Sequence, residues 1–335
     1  MKKIIDNWVH IPGLHCGSVT LRDVMTHFGF NLSEAMCFGI GGGLGFYYSI
    51  NKDISPSHMI FVRGPDMEIT FLSLINKVTS WNHAKGNAID EIKKYIDQDI
   101  PVVIQTDIYY LDYYNSSTHF PGHIVSVWGY DDENETMFVA DNHLEGLQKV
   151  PYQDFKNGMA SKDLSNPLNN NFIEVMLNNK EINLEEIIPD AIRENSRKML
   201  YGCTGGRGES GAHKIKIWSE DLPNWKDVID WKWCSRFGYQ VIKKRGVGGA
   251  GFRWIYRDFL KEAEDIVPLV KELRLTEKMG FIGGKWSDMA LVLKEISEQE
   301  NPQSELLNLA SKKAYELWEL ESDFYSITLE KIESD

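Results

Sequence analysis

Residues 122–143 read GHIVSVWGYDDENETMFVADNH and decide how the first half of the chain folds. Two runs rich in β-branched and aromatic residues, 124–130 and 136–141, flank an acidic turn, which predicts a β-hairpin. His123 stands at the start of the first predicted strand, and Asp141 stands at the end of the second. The stretch therefore predicts an imidazole and a carboxylate on neighbouring strands.

The register of this hairpin decides which side chain faces His123. If paired residue numbers sum to an even value, His123 and Asp141 share a face of the sheet, and if the sum is odd, Asn142 takes that place. Turn length does not settle the register, because a slip of one residue swaps the faces. Either side chain can orient an imidazole, so the sequence leaves both open.

A cysteine near the start of the chain is a candidate nucleophile for this pair. Cys16 precedes a run, residues 17–28, that predicts a helix ending at Gly29. At a helix N-terminus, unpaired N–H groups and the helix dipole favour a thiolate. A cysteine alone is more often an inert small hydrophobic residue. The order Cys, His, Asp on a helix and two strands is what favours catalysis, as in papain-like sites.

Acyl transfer also requires hydrogen-bond donors for the oxyanion that forms on the substrate. The backbone N–H of Cys16 is one predicted donor, by its position at the helix start. Papain-like enzymes usually add a glutamine shortly before the cysteine, and this chain has none there. Of the polar side chains in that segment, Asn7 and His10, we predict His10 as the second donor.

Composition narrows the function classes. The chain has 335 residues, of which 42% are hydrophobic and 25% charged, as in a soluble protein of about two domains. Its net charge of −13 argues against nucleic-acid binding. The acidity either keeps the protein soluble, which we favour, or attracts a small cationic substrate. Four widely spaced cysteines form no disulfide framework, and without CxxC or HExxH no metal site is predicted. No stretch resembles a signal peptide or a membrane span, so we predict a cytoplasmic protein without a membrane partner.

The order of sequence patterns predicts an α+β domain followed by a mainly helical one. The first domain is predicted over residues 1–150, a polar, asparagine-rich connector over 151–180, and the helical domain over 181–335. Strands are predicted at 58–63 and 101–107, and helices at 69–78, 88–97, 184–200, 223–236, 252–272, 285–298 and 303–333.

Two glycine-rich stretches do not match nucleotide-binding motifs. Residues 39–45 lack the Gly-Lys-Ser/Thr of a Walker A loop, and residues 246–251 fit GxGxxG without the acidic residue that should follow. Basic residues at 243–245 and between 193 and 216 are either phosphate contacts or solvated helix faces.

Five motifs along the chain together resemble a known family. They are His15-Cys16-Gly17-Ser18, EAMCFGIGGGLGF at 34–46, Gln105-Thr106-Asp107 with Tyr110-Leu111, His123 with Gly129-Tyr130-Asp131 and Asp141, and Gly249-Ala250-Gly251-Phe252-Arg253 with Tyr256 and Phe259-Leu260. The first four resemble the butirosin biosynthesis protein H family. The last resembles the companion domain often found behind it, so the resemblance covers nearly the whole chain.

The resemblance implies a papain-like fold, similar to the bacteriocin-leader cysteine peptidases, and a role in antibiotic or other secondary-metabolite biosynthesis. It implies an acyltransferase that moves an acyl group from an acyl carrier protein thioester to an amine of an aminoglycoside. The family's cysteine, histidine and aspartate match Cys16, His123 and Asp141. The expected partners are an acyl carrier protein or acyl-CoA, with its phosphopantetheine arm, and a small amine acceptor, with no bound cofactor.

Two other functions remain open on the sequence. The same three residues serve a papain-like peptidase or amidohydrolase when water is the acceptor. A binding module that kept the scaffold and lost the chemistry is the third possibility. Because a transferase must exclude water, we expect residues beyond 180 to cover the Cys16 cleft.

Overall fold

The structure is a computed structural model that describes residues 1–76, 80–163, 166–177, 182–205, 208–246 and 248–334. The chain divides into two compact units, residues 1–37 with 72–182 and residues 38–71 with 183–335. This division differs from the predicted domains of 1–150 and 181–335, because residues 38–71 belong to the second unit. The strands in that segment pair with each other and not with the larger sheet.

The first 182 residues contain nine strands and five helices among those described. In chain order they are β1 (Lys2–Ile4), α1 (Cys16–His27), α2 (Glu34–Ile40), β2 (Leu44–Ile50), β3 (His58–Arg63), α3 (Met67–Asn76), β4 (Asn82–His83), α4 (Ala88–Ile96), β5 (Val102–Thr106), β6 (His123–Asp131), β7 (Thr136–Ala140), β8 (Leu147–Pro151), α5 (Tyr152–Met159) and β9 (Asn171–Glu174). Two short 3-10 turns, Ile108–Tyr110 and Asp112–Tyr114, lie between β5 and β6.

The rest of the chain is mainly helical, as predicted. It contains α6 (Leu184–Tyr201), β10 (Cys203–Gly205), β11 (Gly208–Ser210), α7 (Ala212–Asp221), a 3-10 turn (Leu222–Asp227), α8 (Trp231–Lys243), α9 (Arg253–Ala263), α10 (Pro268–Glu272), α11 (Leu275–Glu298) and α12 (Ser304–Ile332). Among the described residues, no helix is both long enough and apolar enough to cross a membrane.

A seven-stranded antiparallel sheet organises the first unit. Its strand order is β4-β9-β5-β6-β7-β8, and β1 pairs with the far end of β6. Strand β6 is buried along its whole length, as expected for a strand with neighbours on both sides and cover on both faces. The predicted hairpin is present as β6 and β7, and its open end carries the candidate site.

The segment predicted as a connector contains ordered elements instead. Helix α5 occupies its first part, and β9 joins the sheet between β4 and β5. Phe172 and Ile173 of β9 are buried. These two apolar residues hold the strand in the sheet, although the sequence around it is rich in asparagine. Residues 164, 165 and 178–180 of the predicted connector lie outside the described residues, as do residues 77 and 78 of the predicted helix 69–78.

Prolines and turns divide two of the helices predicted in the C-terminal half. The helix predicted at 252–272 is two helices, because α9 ends at Ala263 and α10 begins at Pro268, where a proline fits the first turn but not a helix interior. The helix predicted at 223–236 is a 3-10 turn followed by α8. The helix predicted at 285–298 is the second part of the longer α11.

The glycine-rich stretch at 39–45 allows close packing within the second unit. A Cβ at Gly39 would lie 2.0 Å from the ring of Phe259, and a Cβ at Gly45 would lie 2.6 Å from the backbone of Gly64. No side chain fits at either place. Close packing therefore accounts for Gly39 and Gly45, and no phosphate ligand is needed to explain them.

Candidate active site

Cys16 is the first residue of helix α1 and is half-buried. His15 is the N-cap, and its Nδ1 accepts a hydrogen bond from the backbone N–H of Ser18 at 3.2 Å. No acceptor among the described residues takes the backbone N–H of Cys16 or Gly17, as is usual in the first turn of a helix. The predicted helix start is therefore confirmed, and the thiol lies beside unpaired backbone donors.

Glu34 of α2 fixes the turn that leads into this helix. Its Oε1 accepts hydrogen bonds from the backbone N–H of Leu14 at 3.1 Å and of His15 at 2.7 Å. A Cβ at Gly13 would lie 2.5 Å from Glu34 Oε2, so only glycine fits at the start of the turn. The carboxylate therefore determines where the chain enters α1.

Asn142 holds the same turn from the other side. The backbone N–H of Gly13 donates to the Asn142 carbonyl at 2.5 Å, and Asn142 Nδ2 donates to the Leu14 carbonyl at 3.0 Å. Because Asn142 follows Asp141 directly, these two bonds tie the end of the hairpin to the segment before Cys16. The Asn142 side chain thus contacts the turn before Cys16, whereas the Asp141 side chain faces His123.

Asp141 is the residue that meets His123. Its two oxygens each lie 2.9 Å from His123 Nε2. The Asp141 side chain is fully buried, and that of His123 is nearly so. The hairpin places an imidazole and a carboxylate in direct contact, inside the first unit.

A β-bulge decides between Asp141 and Asn142. Near the turn Gly129 pairs with Phe138, an odd sum, and beyond the bulge Val127 pairs with Val139, an even sum. Trp128 is the extra residue, at the point where the neighbour of β6 changes from β1 to β5. Without this bulge Asn142 would share the face of His123.

The Cys16 thiol lies close enough to the same imidazole to contribute to the pKa of His123. Since Nε2 of His123 is engaged by Asp141, Nδ1 is the nitrogen left for the thiol. Burial lowers the pKa of His123, but the charge and hydrogen bond of Asp141, together with those of Cys16, raise the pKa well above its ordinary value. The site therefore favours an imidazolium at His123 beside an ionised Asp141 carboxylate.

Two tyrosines that sequence reasoning missed also contact Asp141. Tyr113 donates to Asp141 Oδ2 at 2.8 Å, and Tyr114 donates to Asp141 Oδ1 at 3.0 Å. Burial raises the pKa of Asp141, but His123 and then the two hydroxyls outweigh it and lower the pKa below its usual range. The aromatic-rich segment between two strands, YYLDYY at 109–114, was the available signal.

His10 does not have the free donor that an oxyanion would need. Its Nδ1 lies 2.5 Å from Asp23 Oδ2, and its Nε2 lies 2.8 Å from the Leu144 carbonyl oxygen. Both partners accept, so both ring nitrogens carry protons and His10 is charged. Burial lowers the pKa of His10, but the Asp23 carboxylate raises it above its ordinary value. His10 links α1 to the loop after Asp141 and does not point a donor at the thiol.

The basic residues between 193 and 216 are locally paired. Within the described part of the chain, the lysines and arginines of this segment form five ion pairs: Arg193 with Asp190, Arg197 with Glu333, Lys198 with Glu194, Lys214 with Glu209, and Lys216 with Glu220. His213 also lies 3.3 Å from Glu209. Arg207 lies outside the described residues. These contacts indicate that the basic residues belong to solvated helix faces and not to a phosphate site.

One group in the second unit has the residue types of a metal site. Potential ligand atoms of His58, Asp230 and Cys234 lie within 4.8 Å of one another. The Asp230 carboxylate already accepts from Ser55 and Ser57 and from the Cys234 thiol. Burial raises the pKa of Cys234 to about 11, which disfavours the thiolate that a metal requires. We assign the group to the anchoring of loop 55–58 on α8.

A cysteine at a helix start, near a buried His–Asp pair on an antiparallel sheet, has the residue types of a cysteine-dependent enzyme site. The family model described as "Butirosin biosynthesis protein H, N-terminal" matches residues 15–142, from the N-cap before Cys16 to the residue after Asp141. A second, described as "Domain of unknown function (DUF4872)", matches residues 153–327. The resemblance predicted from the motifs is thus confirmed as an N-terminal butirosin biosynthesis protein H domain at residues 15–142, followed by a DUF4872 domain.

The match to this family indicates an enzyme in a biosynthetic, antibiotic-related context. No curated protein matches the chain. The structure is mixed α and β, with antiparallel sheets and a helical C-terminal part, which agrees with the predicted α+β class.

Proposed function

We propose that the chain is a cysteine-dependent acyltransferase with a papain-like first unit. It would take an acyl group from a phosphopantetheine thioester, on an acyl carrier protein or CoA, and place it on an amine of a small acceptor such as an aminoglycoside. The observation that carries this proposal is the buried His123–Asp141 pair, with Cys16 at the start of α1 near enough to the imidazole to contribute to its pKa. The family supplies the reaction class, and these three side chains supply the groups it needs.

In the first step, the Cys16 thiolate attacks the carbonyl carbon of the donor thioester. The backbone N–H of Cys16 is aimed at the oxyanion of the tetrahedral intermediate. The new carbon–sulfur bond to Cys16 forms, the bond to the donor sulfur breaks, and the donor thiol leaves with the proton from His123 Nδ1. An acyl-Cys16 thioester and a neutral His123 remain.

In the second step, the acceptor amine attacks the acyl-Cys16 carbonyl carbon. Neutral His123 takes the proton that the amine loses, and Asp141 stabilises the imidazolium that results. The carbon–sulfur bond breaks, and Cys16 leaves as a thiolate beside that imidazolium. Exchange between two thioesters is nearly balanced, whereas amide formation drives the reaction forward.

The acceptor distinguishes this function from hydrolysis by the same residues. A peptidase or amidohydrolase would use water in the second step, so a transferase must keep water away from the acyl-Cys16 carbonyl. Truncation after residue 180 is a poor test of this exclusion, because residues 38–71 belong to the second unit and would lose their partners.

Intact-protein mass spectrometry tests the proposal directly. We expect a mass gain of one acyl group when the full chain is incubated with a mixture of acyl-CoA thioesters, and loss of that gain in Cys16→Ala. Cys203→Ala is the matched control, since Cys203 is also a half-buried free thiol and should leave the gain unchanged.

Discharge of the acyl-enzyme then separates the candidate functions. Faster loss of the acyl group on adding an aminoglycoside, with an amide product, supports the transferase. If the acyl group is lost at the same rate with and without the amine, the protein is a hydrolase and not a transferase. A mass gain that persists in Cys16→Ala would rule out Cys16 as the nucleophile.

A further inference from the structure

The segment between β5 and β6 is closed into a loop by one buried carboxylate. Asp107 Oδ1 accepts from the backbone N–H of Tyr109 at 3.1 Å and of Phe120 at 2.8 Å. Its Oδ2 accepts from His119 Nδ1 at 2.6 Å and from Ser161 Oγ at 2.7 Å. Both ends of the loop 108–120 are thus fixed to Asp107, one of the residues that carry the family resemblance.

The second 3-10 turn of this loop brings Tyr113 and Tyr114 to Asp141. One hydroxyl donates to each carboxylate oxygen, and each oxygen lies at the same 2.9 Å from His123 Nε2. The Asn142 backbone N–H donates to Oδ1 at 2.7 Å. The plane of the carboxylate is therefore determined by donors on both sides of the bond to the imidazole.

We propose that Tyr113 and Tyr114 are positioning residues of the active site, which hold Asp141 ionised and symmetric about His123 Nε2 so that the shared proton stays on the imidazole. The catalytic consequence rests on the proposed function, because the tyrosines act through His123 and touch no reacting atom. The orientation of Asp141 by the two tyrosines rests on the hydrogen bonds and does not depend on that function.

The charges around Asp141 give these hydroxyls their effect. The groups that face the carboxylate are His123 of β6, the two tyrosines of the loop, and, beyond Tyr114, the Cys16 thiol of α1 and His143. A buried carboxylate without donors gains proton affinity, whereas hydrogen bonds to its ionised form reduce that affinity. Removing a hydroxyl therefore draws the Nε2 proton toward Asp141.

Both tyrosines remain donors at any working pH. Burial raises the pKa of Tyr113 and Tyr114, and the Asp141 charge raises it further. Tyr114 has additional contacts, since its hydroxyl oxygen also lies 3.3 Å from His123 Nε2 and 3.3 Å from His143 Nδ1. The larger effect is therefore expected at Tyr114.

Proton NMR of the full chain in water tests the proposal without any substrate. A proton held between His123 Nε2 and Asp141 gives a far-downfield resonance, assigned by its loss in His123→Ala. We expect this resonance to move further downfield in Tyr113→Phe and Tyr114→Phe, and most in the double variant, because the proton affinities of the two partners approach each other. Tyr109→Phe is the matched control, since Tyr109 lies in the same loop and contacts neither His123 nor Asp141.

Kinetics supply a second readout. With acetyl-CoA and an aminoglycoside, each Phe variant at 113 or 114 should lower kcat by about 10-fold, the effect of one hydrogen bond to a charged group, and should leave KM unchanged. Circular dichroism confirms that each variant is folded.

The outcomes separate this inference from the proposed function. A resonance that moves downfield in the Phe variants supports the positioning role, even if no acyl-enzyme forms and the acyltransferase proposal fails, and an upfield shift contradicts it. An unchanged resonance in both single variants and in the double variant overturns the positioning role, even if Cys16 is acylated as proposed.

Discussion

A buried ion pair in the first unit, His123–Asp141, and one in the second, Arg253–Glu321, serve different ends. In the first unit, Asp141 holds His123, and one imidazole nitrogen remains for Cys16. In the second, Arg253 and Glu321 are both fully buried and joined at 2.8 Å and 3.0 Å. The charge of His123 depends on whether its imidazole is protonated, whereas the Arg253 guanidinium stays charged at any working pH.

Hydrogen bonds engage most of the polar groups of the Arg253–Glu321 pair. Arg253 Nη1 donates to the carbonyls of Val62 and Gly251, and Trp286 Nε1 donates to Glu321 Oε1 at 2.5 Å. The guanidinium is fully buried and four of its five N–H groups are engaged, whereas the imidazole of His123 lies near the half-buried Cys16 thiol. Burial and charge therefore stabilise the fold at the second pair, and in the proposed mechanism they prepare a nucleophile at the first.

Removing the titratable partner should have the largest effect. We expect His123→Ala to lower kcat by roughly 10²–10⁴-fold, the range for loss of a general acid–base residue. The alkylation rate of Cys16 by limiting iodoacetamide should fall as well, because the thiolate loses its imidazolium. Cys16 should be the first of the four thiols labelled in the wild type. Equal labelling of Cys16 in wild type and His123→Ala would contradict an activated pair.

Breaking the second pair should affect stability instead. Arg253→Met leaves Glu321 buried without its cation, and we expect the free energy of unfolding to fall by about 3–5 kcal/mol. Adding Glu321→Leu should recover most of this loss, since an apolar pair can replace a buried ion pair. Urea unfolding of both variants measures the two values. No recovery in the double variant would show that the ion pair itself, and not the unpaired charge, matters.

The pH dependence of stability should also differ between the pairs. The folded pKa of His123 is raised above 6.5, so its contribution is full below 6.5 and declines as pH rises through the folded value. The pKa of Asp141 is lowered below 3.8, so its contribution is full above 3.8 and is lost as pH falls through the folded value. The stability difference between wild type and His123→Ala should therefore be greatest between these two pH values and shrink in alkali. The difference between wild type and Arg253→Met should show no such alkaline decline.

The sequence predicted the elements of the first pair better than their arrangement. Helix α1, the β6–β7 hairpin and the order of Cys16, His123 and Asp141 follow from local patterns, and those elements are where they were expected. Which face of the hairpin carries the carboxylate did not follow, because it depends on the bulge at Trp128. That bulge lies where β6 changes neighbours, and such a non-local pairing leaves no local signal.

The second pair and the discontinuous units were not predicted, for a related reason. Arg253 and Glu321 are far apart in the sequence, and each alone resembles an ordinary charged residue of a helix. Residues 38–71 were assigned to the first domain by position along the chain, although their hairpin packs among later helices. In the candidate site, the partners of His10, Tyr113 and Tyr114 were likewise not predicted, because they are set by tertiary contacts.

His10 offers the smallest expected effect on catalysis and tests the oxyanion prediction directly. Both of its nitrogens are occupied, by Asp23 and by the Leu144 carbonyl, so we expect His10→Gln to change kcat by less than about 3-fold and to lower the free energy of unfolding by about 1–3 kcal/mol. An oxyanion donor behaves oppositely, because its loss costs roughly 10²–10³-fold in kcat with little effect on folding. Steady-state kinetics and urea unfolding of this one variant decide between the two roles. A large fall in kcat at unchanged stability would restore His10 to the catalytic set and would mean that its bonds to Asp23 and Leu144 rearrange when substrate binds.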